Sequence, residues 1–349
     1  MVMVRFWLPL GVVLLALWGC GNEPIPARIQ SLSLTGDYAT GDYAAAPSTS
    51  ELELIFLGTG GIYLQHGEQA LLGDPFFSNP PITDWVLMRE SPVRSDVIDR
   101  YLPPLEAVKA ILVAHVHHDH AMDVPYIAAK TDPQVPVLGS ETLRNTLFSA
   151  LDPNRLIALN AKASGLEKTG EWVQVNQFIR ILPILSGHAP HLFGRVLNSD
   201  AVQSPLPSVP KTVVDWESGQ ALSFVIDFLQ AGQPKFRIFY QSSAADAPDG
   251  LPPAWLLQDG KKVDLALLGI ANQRRLQEYP IALLQALQPQ QVVLIHWELF
   301  WDEYSQQVTR PLPGLDLAGL MQKIEQALPP QVPVYLPDRG ARLRIQESL

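Results

Sequence analysis

The stretch that most constrains this chain is Val113-Ala114-His115-Val116-His117-His118-Asp119-His120, which completes the apolar run Ala110-Ile111-Leu112-Val113. A short, partly β-branched apolar run bounded by polar residues reads as a buried strand. The histidines therefore sit where a strand ends and the chain turns towards a helix, the place where sites collect in α/β sheets. Neutral imidazole and carboxylate are ligands that borderline divalent metals such as zinc prefer. Alternate residues of an extended segment share a face, so His115 and His117 project together. Asp119 and His120, at the turn, can then face a second metal beside the first. The alternative is a polar surface loop enriched in histidine by chance. It would require most of the chain's eight histidines to gather without purpose, here and at the isolated positions downstream.

The start of the chain reads differently. Arg5 precedes an apolar run from Phe6 to Trp18 that ends in Leu17-Trp18-Gly19-Cys20, the pattern of a secretory signal. The run is shorter than the ~20 residues of a spanning helix. Leu-x-Gly-Cys resembles a bacterial lipobox, which makes residues 1–19 an expected signal peptide and Cys20 the expected lipidated residue. Gly21 after Cys20, by resemblance to Gram-negative lipoproteins, implies a cell-envelope location at the outer membrane, facing the periplasm. Cys20 is the only cysteine, so no internal disulfide can form and a metal site must be built from His and Asp. Residues 20–50 read as a flexible tether, carrying Thr35-Gly36-Asp37-Tyr38-Ala39 repeated as Thr40-Gly41-Asp42-Tyr43-Ala44. Residues 51–349 read as one large α/β hydrolase-sized domain. The net charge is −10, and no Lys/Arg-rich run breaks the acidic balance. That excludes a nucleic-acid footprint and an electrostatic membrane surface, leaving the lipid anchor as the link to a membrane.

Within that domain, Leu52–Leu57 reads as a strand, and Gly58-Thr59-Gly60-Gly61 as a tight turn into the strands Ile62–Gln65 and Ala70–Gly73. As a phosphate-binding loop the glycine run lacks the required partners. Gly73-Asp74-Pro75 ends a strand on a carboxylate. His66 in this hairpin is expected at the surface. Trp85-Val86-Leu87-Met88 reads either as core or as a lid over a substrate. Helices are expected over Val124–Lys130, Glu141–Leu151, Pro280–Leu287 and, capped by Asp316, Leu317–Leu328. Further strands are expected at Val135–Leu138, Val173–Val175, Phe178–Leu185, Ala221–Phe228, Lys235–Tyr240, Val263–Leu268, Gln291–Ile295, Val332–Leu336 and Ala341–Ile345. The strand at Leu185 runs into Ser186-Gly187-His188, and that at Ile295 into His296-Trp297-Glu298. The segment 192–220 is a long polar loop of the kind that is usually functional. Two β-sheets flanked by helices accommodate this pattern.

Strand–Gly-Thr-Gly-Gly–strand, Asp at a strand end, His-x-His-x-Asp-His and two later histidines, each following a strand, resemble the metallo-β-lactamase superfamily over about residues 52–340. Gly-Asp-Pro-Phe-Phe-Ser and the ending Ile-His-Trp are most similar to its ascorbate-phosphate lactonase and N-acyl-phosphatidylethanolamine phospholipase D branches. The resemblance implies an αββα sandwich of two mixed β-sheets flanked by helices. It implies that His115, His117 and His188 hold one metal, with His191 the alternative to His188, while Asp119, His120 and His296 hold the other. His118 would point away. Asp74 would hydrogen-bond a ligand histidine and fix its tautomer. The family places a bridging Asp where this chain has Ser242-Ser243, so either Asp246 loops back into that role or the bridge is missing. The implied cofactor is zinc, as one or two ions, with other divalent metals as alternatives. The implied activity is hydrolysis of an ester, lactone or phosphodiester by metal-bound hydroxide, with Asp119 and His120 as the catalytic pair. The expected partner is a small-molecule or lipid-derived substrate. Trp297, Phe300 and Trp301 line its pocket or pack in the core, and Tyr240 and Ser243 are candidate hydrogen-bond donors to it. A non-catalytic binding protein on the same fold is the competing reading, and the absent Asp is its support.

Overall fold

The computed structural model describes residues 25–33, 47–165, 168–191, 194–305 and 309–347. Cys20, the apolar run before it and the tandem repeat at 35–44 lie outside the described residues. Among the described residues no helix is long and apolar enough to cross a membrane.

The strands are β1 (Ile29–Leu32), β2 (Glu51–Gly58), β3 (Gly61–His66), β4 (Gln69–Gly73), β5 (Val108–Leu112), β6 (Val137–Gly139), β7 (Leu156–Ala158), β8 (Val173–Asn176), β9 (Ile179–Leu185), β10 (Leu222–Gln230), β11 (Gln233–Gln241), β12 (Leu265–Gly269), β13 (Val292–Ile295), β14 (Val334–Pro337) and β15 (Arg342–Gln346). The helices are α1 (Ile82–Leu87), α2 (Ser95–Tyr101), α3 (His118–Ala121), α4 (Val124–Ala128), α5 (Glu141–Leu147), α6 (Ala254–Leu257), α7 (Ile281–Leu287) and α8 (Leu317–Ala327). One sheet has the order β1-β14-β13-β12-β11-β10-β9-β8 and the other β15-β2-β3-β4-β5-β6-β7. Both are mixed. Strands β15, β2, β3 and β4 pair antiparallel before β4 to β7 continue parallel. Strands β8 to β11 are antiparallel, and β11 to β14 and β1 are parallel.

Side-chain alternation explains the layering. In β2, Leu52, Leu54 and Phe56 enter the core shared with the other sheet, while Ile55 and Leu57 enter a second core beneath α2, α3, α4 and α5. Successive residues of a strand face opposite sides, so a strand buried on both faces must be apolar throughout. On the outer face of the first sheet, α8 presents Leu317, Leu320, Met321 and Ile324, spacings that form one helical stripe, beside Leu283, Leu284 and Leu287 of α7. Asp316 caps α8 by accepting from the Gly319 N–H at 2.7 Å, as expected. The αββα sandwich expected from the sequence is thus present.

Three readings change. Residues 29–32, placed in the tether by composition, form the edge strand β1, with Ile29 buried and in register with Val334. An edge strand takes most of its partners from a neighbour's backbone, so low hydrophobicity does not exclude it. His66 is buried rather than at the surface. Its ring meets Phe236 and Phe228 edge-on at 5.2 and 6.0 Å, and its Nδ1 lies 2.8 Å from the Glu51 carbonyl oxygen. Trp85-Val86-Leu87-Met88 falls on α1, none of whose residues is buried, with Leu87 and Met88 about half exposed. It borders the cavity described below and is not core.

Candidate metal centre

Every candidate ligand follows the carboxyl end of a strand. His115 and His117 come from the turn between β5 and α3, Asp119 and His120 from α3 itself, His188 from the loop after β9, and His296 from the residue after β13. The structure brings His115, His117 and His188 into one trio and Asp119, His120 and His296 into another, the donor atoms of each lying within 4.8 Å of one another. His115 and His120 link the trios, with ring centroids 4.0 Å apart.

The surroundings of each ring decide which nitrogen faces the centre. His120 Nδ1 lies 2.8 Å from Asp74 Oδ2, which leaves Nε2 buried without a protein partner. Asp74 is held in turn by the Ala114 N–H at 2.7 Å and the Tyr240 hydroxyl at 2.7 Å, and that hydroxyl is also 2.9 Å from the Gly60 carbonyl oxygen. His117 Nε2 faces the Leu197 and Asn198 carbonyl oxygens at 3.0 and 3.2 Å, leaving Nδ1. His188 Nδ1 faces the Ala189 carbonyl oxygen at 2.7 Å, leaving Nε2. His115 is fully buried, and neither of its ring nitrogens has a hydrogen-bond partner. An imidazole desolvated on both nitrogens is costly unless something else occupies the lone pair. A divalent metal fits that requirement and this donor set, which is neutral nitrogen plus one carboxylate.

The electrostatics agree for the first trio, whereas in the second Asp119 and Asp74 outweigh burial and raise His120. Burial, reinforced by neighbouring imidazoles, holds His115 and His188 well below the ordinary histidine range, in the neutral form a metal needs. Burial opposes ionisation of Asp119, but the facing His120, His296 and His118 outweigh it and keep the carboxyl well below its usual value. Asp119 Oδ2 lies 3.4 Å from His296 Nε2 and 3.6 Å from His120 Nε2. His118 joins neither trio and stacks on Trp301 at 5.1 Å, and His191 accepts the Leu197 N–H at 2.9 Å.

The other predicted residues have different occupations. Asp246 accepts the N–H groups of Gln277, Glu278 and Tyr279 at 2.9, 3.0 and 2.8 Å, so its carboxylate caps a turn and does not reach the centre. Ser242 and Ser243, which stand where the resemblance expects a bridging carboxylate, are both buried with hydroxyls that have no hydrogen-bond partner. Tyr240 is fully buried and committed to Asp74 and Gly60, which removes it as a substrate contact. Trp297 packs in the shared core, its Nε1 donating to the Pro337 carbonyl oxygen at 2.9 Å, whereas Phe300 and Trp301 do line the cavity.

Sequence reasoning missed the support beneath His296. This residue has φ +55, a conformation uncommon outside glycine, and its N–H donates to the Thr59 carbonyl oxygen at 2.7 Å. The Thr59 N–H donates to the buried Glu298 carboxylate, and Arg339 Nε lies 3.7 Å from the same oxygen. A side chain at Gly60 would place Cβ 2.8 Å from His120 Cε1 and 3.0 Å from Ser242 Cβ, so only glycine lets this turn pass against the centre. Glu298 lies two residues beyond His296, which is the one sequence signal that could have pointed to it.

No protein-family model matches the chain, and no curated protein sequence matches it. Among solved structures it is similar to Igni18, a metallo hydrolase from the archaeon Ignicoccus hospitalis, at 15% identity and a TM-score of 0.50. That match covers 85% of this chain and all of the other. The isothiocyanate hydrolase from Delia radicum gut bacteria is similar at 14% identity and a TM-score of 0.45, over 84% of this chain and 99% of that one. CmlA, a diiron β-hydroxylase from Streptomyces venezuelae, is similar at 12% identity and a TM-score of 0.49, over 86% of this chain and 54% of its own length. At 15% identity the likeness to Igni18 shows the fold alone, and the site must carry the chemistry.

Proposed function

We infer that the protein is a metal-dependent hydrolase of an ester, lactone or phosphodiester, using zinc and tethered to the cell envelope through Cys20. The observation that carries the reading is the pair of trios built around His115, a buried imidazole with two unpartnered nitrogens. His115, His117 and His188 would hold one ion, and Asp119, His120 and His296 a second. A divalent metal supplies a water that ionises near neutral pH and polarises the oxygen on which charge develops. The chain's own residues do the remainder. Asp119, kept ionised, orients the attacking water and takes its proton at a carboxylate oxygen. The Gly60–Tyr240–Asp74 relay fixes the His120 tautomer, and the Leu197 and Asn198 carbonyls fix that of His117. Phe300 and Trp301 exclude water from one wall.

Elemental analysis of the purified protein, with a panel of ester, lactone and phosphodiester substrates, tests this. The expected result is near two equivalents of metal and turnover abolished in His117→Ala. One specific observation favours the competing reading of a non-catalytic binding protein: Ser242 and Ser243 replace a carboxylate, and Asp246 is occupied elsewhere. Metal without turnover across the panel would select that reading. No metal after zinc supplementation would remove the hydrolase and favour the binding protein.

A further inference from the structure

The trios open into a cavity of about 270 Å³, near the lower limit of the ~300–1,000 Å³ typical of small-molecule sites. Its lining is apolar at Ile82, Trp85, Phe300, Trp301, Leu312 and Leu315. Opposite in character are Arg274 and Arg275, adjacent residues of a short 3-10 turn that begins after Asn272 and follows β12. The turn is fixed in place: Asn272 has φ +57, the Arg275 N–H donates to its carbonyl oxygen at 2.9 Å, and Gln273 Nε2 donates to the Asp316 carbonyl oxygen at 2.8 Å. Arg274 lies flat over Gly314, where a Cβ would come within 2.7 Å of its Cζ. Among the described residues the only carboxylate lining the cavity is Asp119, which belongs to the second trio. No acidic side chain among the described residues pairs with either arginine.

Acidic residues outnumber basic ones by ten, and Arg180, Arg237, Arg310 and Arg344 each have an acidic partner. Two neighbouring guanidiniums on one wall repel each other, and burial together with Arg274 lowers the proton affinity of Arg275. A positively charged wall left without a counter-charge beside an apolar one is complementary to a ligand that brings its own anion.

We propose that the cavity binds an amphipathic oxyanion, a short alkyl or acyl body ending in a carboxylate or phosphate, with the anionic group on Arg274 and Arg275 and the body against Trp85, Phe300 and Trp301. This rests on the hydrolase reading only in assigning the ligand as substrate; the binding itself does not. The test is calorimetric titration of octanoate, octyl phosphate and octanol into the full-length zinc-supplemented protein and into an R274Q/R275Q variant. Both anions bind more tightly than octanol to the wild type, and the variant loses about tenfold or more for each while octanol is unchanged. Tighter binding of octanoate assigns a carboxylate substrate, and tighter binding of octyl phosphate assigns a phosphate. Octanol binding as tightly as the anions, or anion affinities unaltered by the double substitution, overturns the proposal. Because the readout needs no turnover, Arg-dependent binding without hydrolysis would remove the hydrolase and leave the anion site. Hydrolysis with Arg-independent binding would do the reverse.

Discussion

His120 depends on a chain of single atoms: the Gly60 carbonyl, the Tyr240 hydroxyl and both Asp74 oxygens. Asp74→Asn keeps the shape but presents the imidazole with an amide, and the metal affinity of the second trio should fall about 10–100-fold in competition against a chelator. Tyr240→Phe removes the single hydroxyl proton that lies between the buried Asp74 carboxylate and the Gly60 carbonyl, and should cost about 1–2 kcal/mol in urea unfolding. A second residue sets a pH dependence. Asp123 is buried beneath the N–H groups of Phe77 and Ser78 and the Ser78 hydroxyl, and burial raises its carboxyl to about 6 from an ordinary 3.8. A carboxyl raised on folding favours the folded state while protonated. Its contribution is complete below about pH 3.8 and is lost as the pH rises through about 6. Stability curves across that window should fall less steeply with pH for Asp123→Asn than for the wild type, and equal slopes would show that Asp123 does not titrate there.

At the scale of elements, the strands and the His-x-His-x-Asp-His turn were legible because they carry local signals. The apolar runs that end β5 and β13 are continuous, and ligands stand just beyond them. The fates of Asp246 and Tyr240 were not legible, because each is decided by a distant partner: the 277–279 backbone for one, Asp74 for the other. The same holds for Glu298, which acts through a turn 239 residues away. Strand β1 was hidden for a related reason, since its hydrogen bonds run to β14 and only Ile29 of its side chains is buried. A chain beginning at Ser48 should therefore unfold at lower urea than one beginning at Ile25, by about 2 kcal/mol, the value of one buried isoleucine. Equal stability would return residues 29–32 to the tether.

Across the whole molecule, one charged ladder runs through the first sheet. Asp227 of β10 lies in register with Arg180 of β9 and Arg237 of β11, and bonds to both, at 2.7 Å for Arg180 Nη2 and 2.8 Å for Arg237 Nε. Trp172 covers the Arg180 guanidinium at 4.1 Å. Arg237 is among the largest fully buried side chains, so Asp227→Ala strands a buried charge with only Asp259 to answer it. The expected loss is about 3 kcal/mol in denaturant unfolding, with metal content unchanged in the fraction that remains folded.

Each trio draws on both sheets: His115 and His117 with His188, and Asp119 and His120 with His296. An ion in either place would be a rivet through two plates that otherwise meet by apolar contact and a few hydrogen bonds, among them that of Tyr240 to Asp74. Withdrawing it loosens the seam at one end, and proteases find the loops there before the sheets themselves give way. On that reading metal supply would govern how long the chain persists, independently of any rate on a substrate.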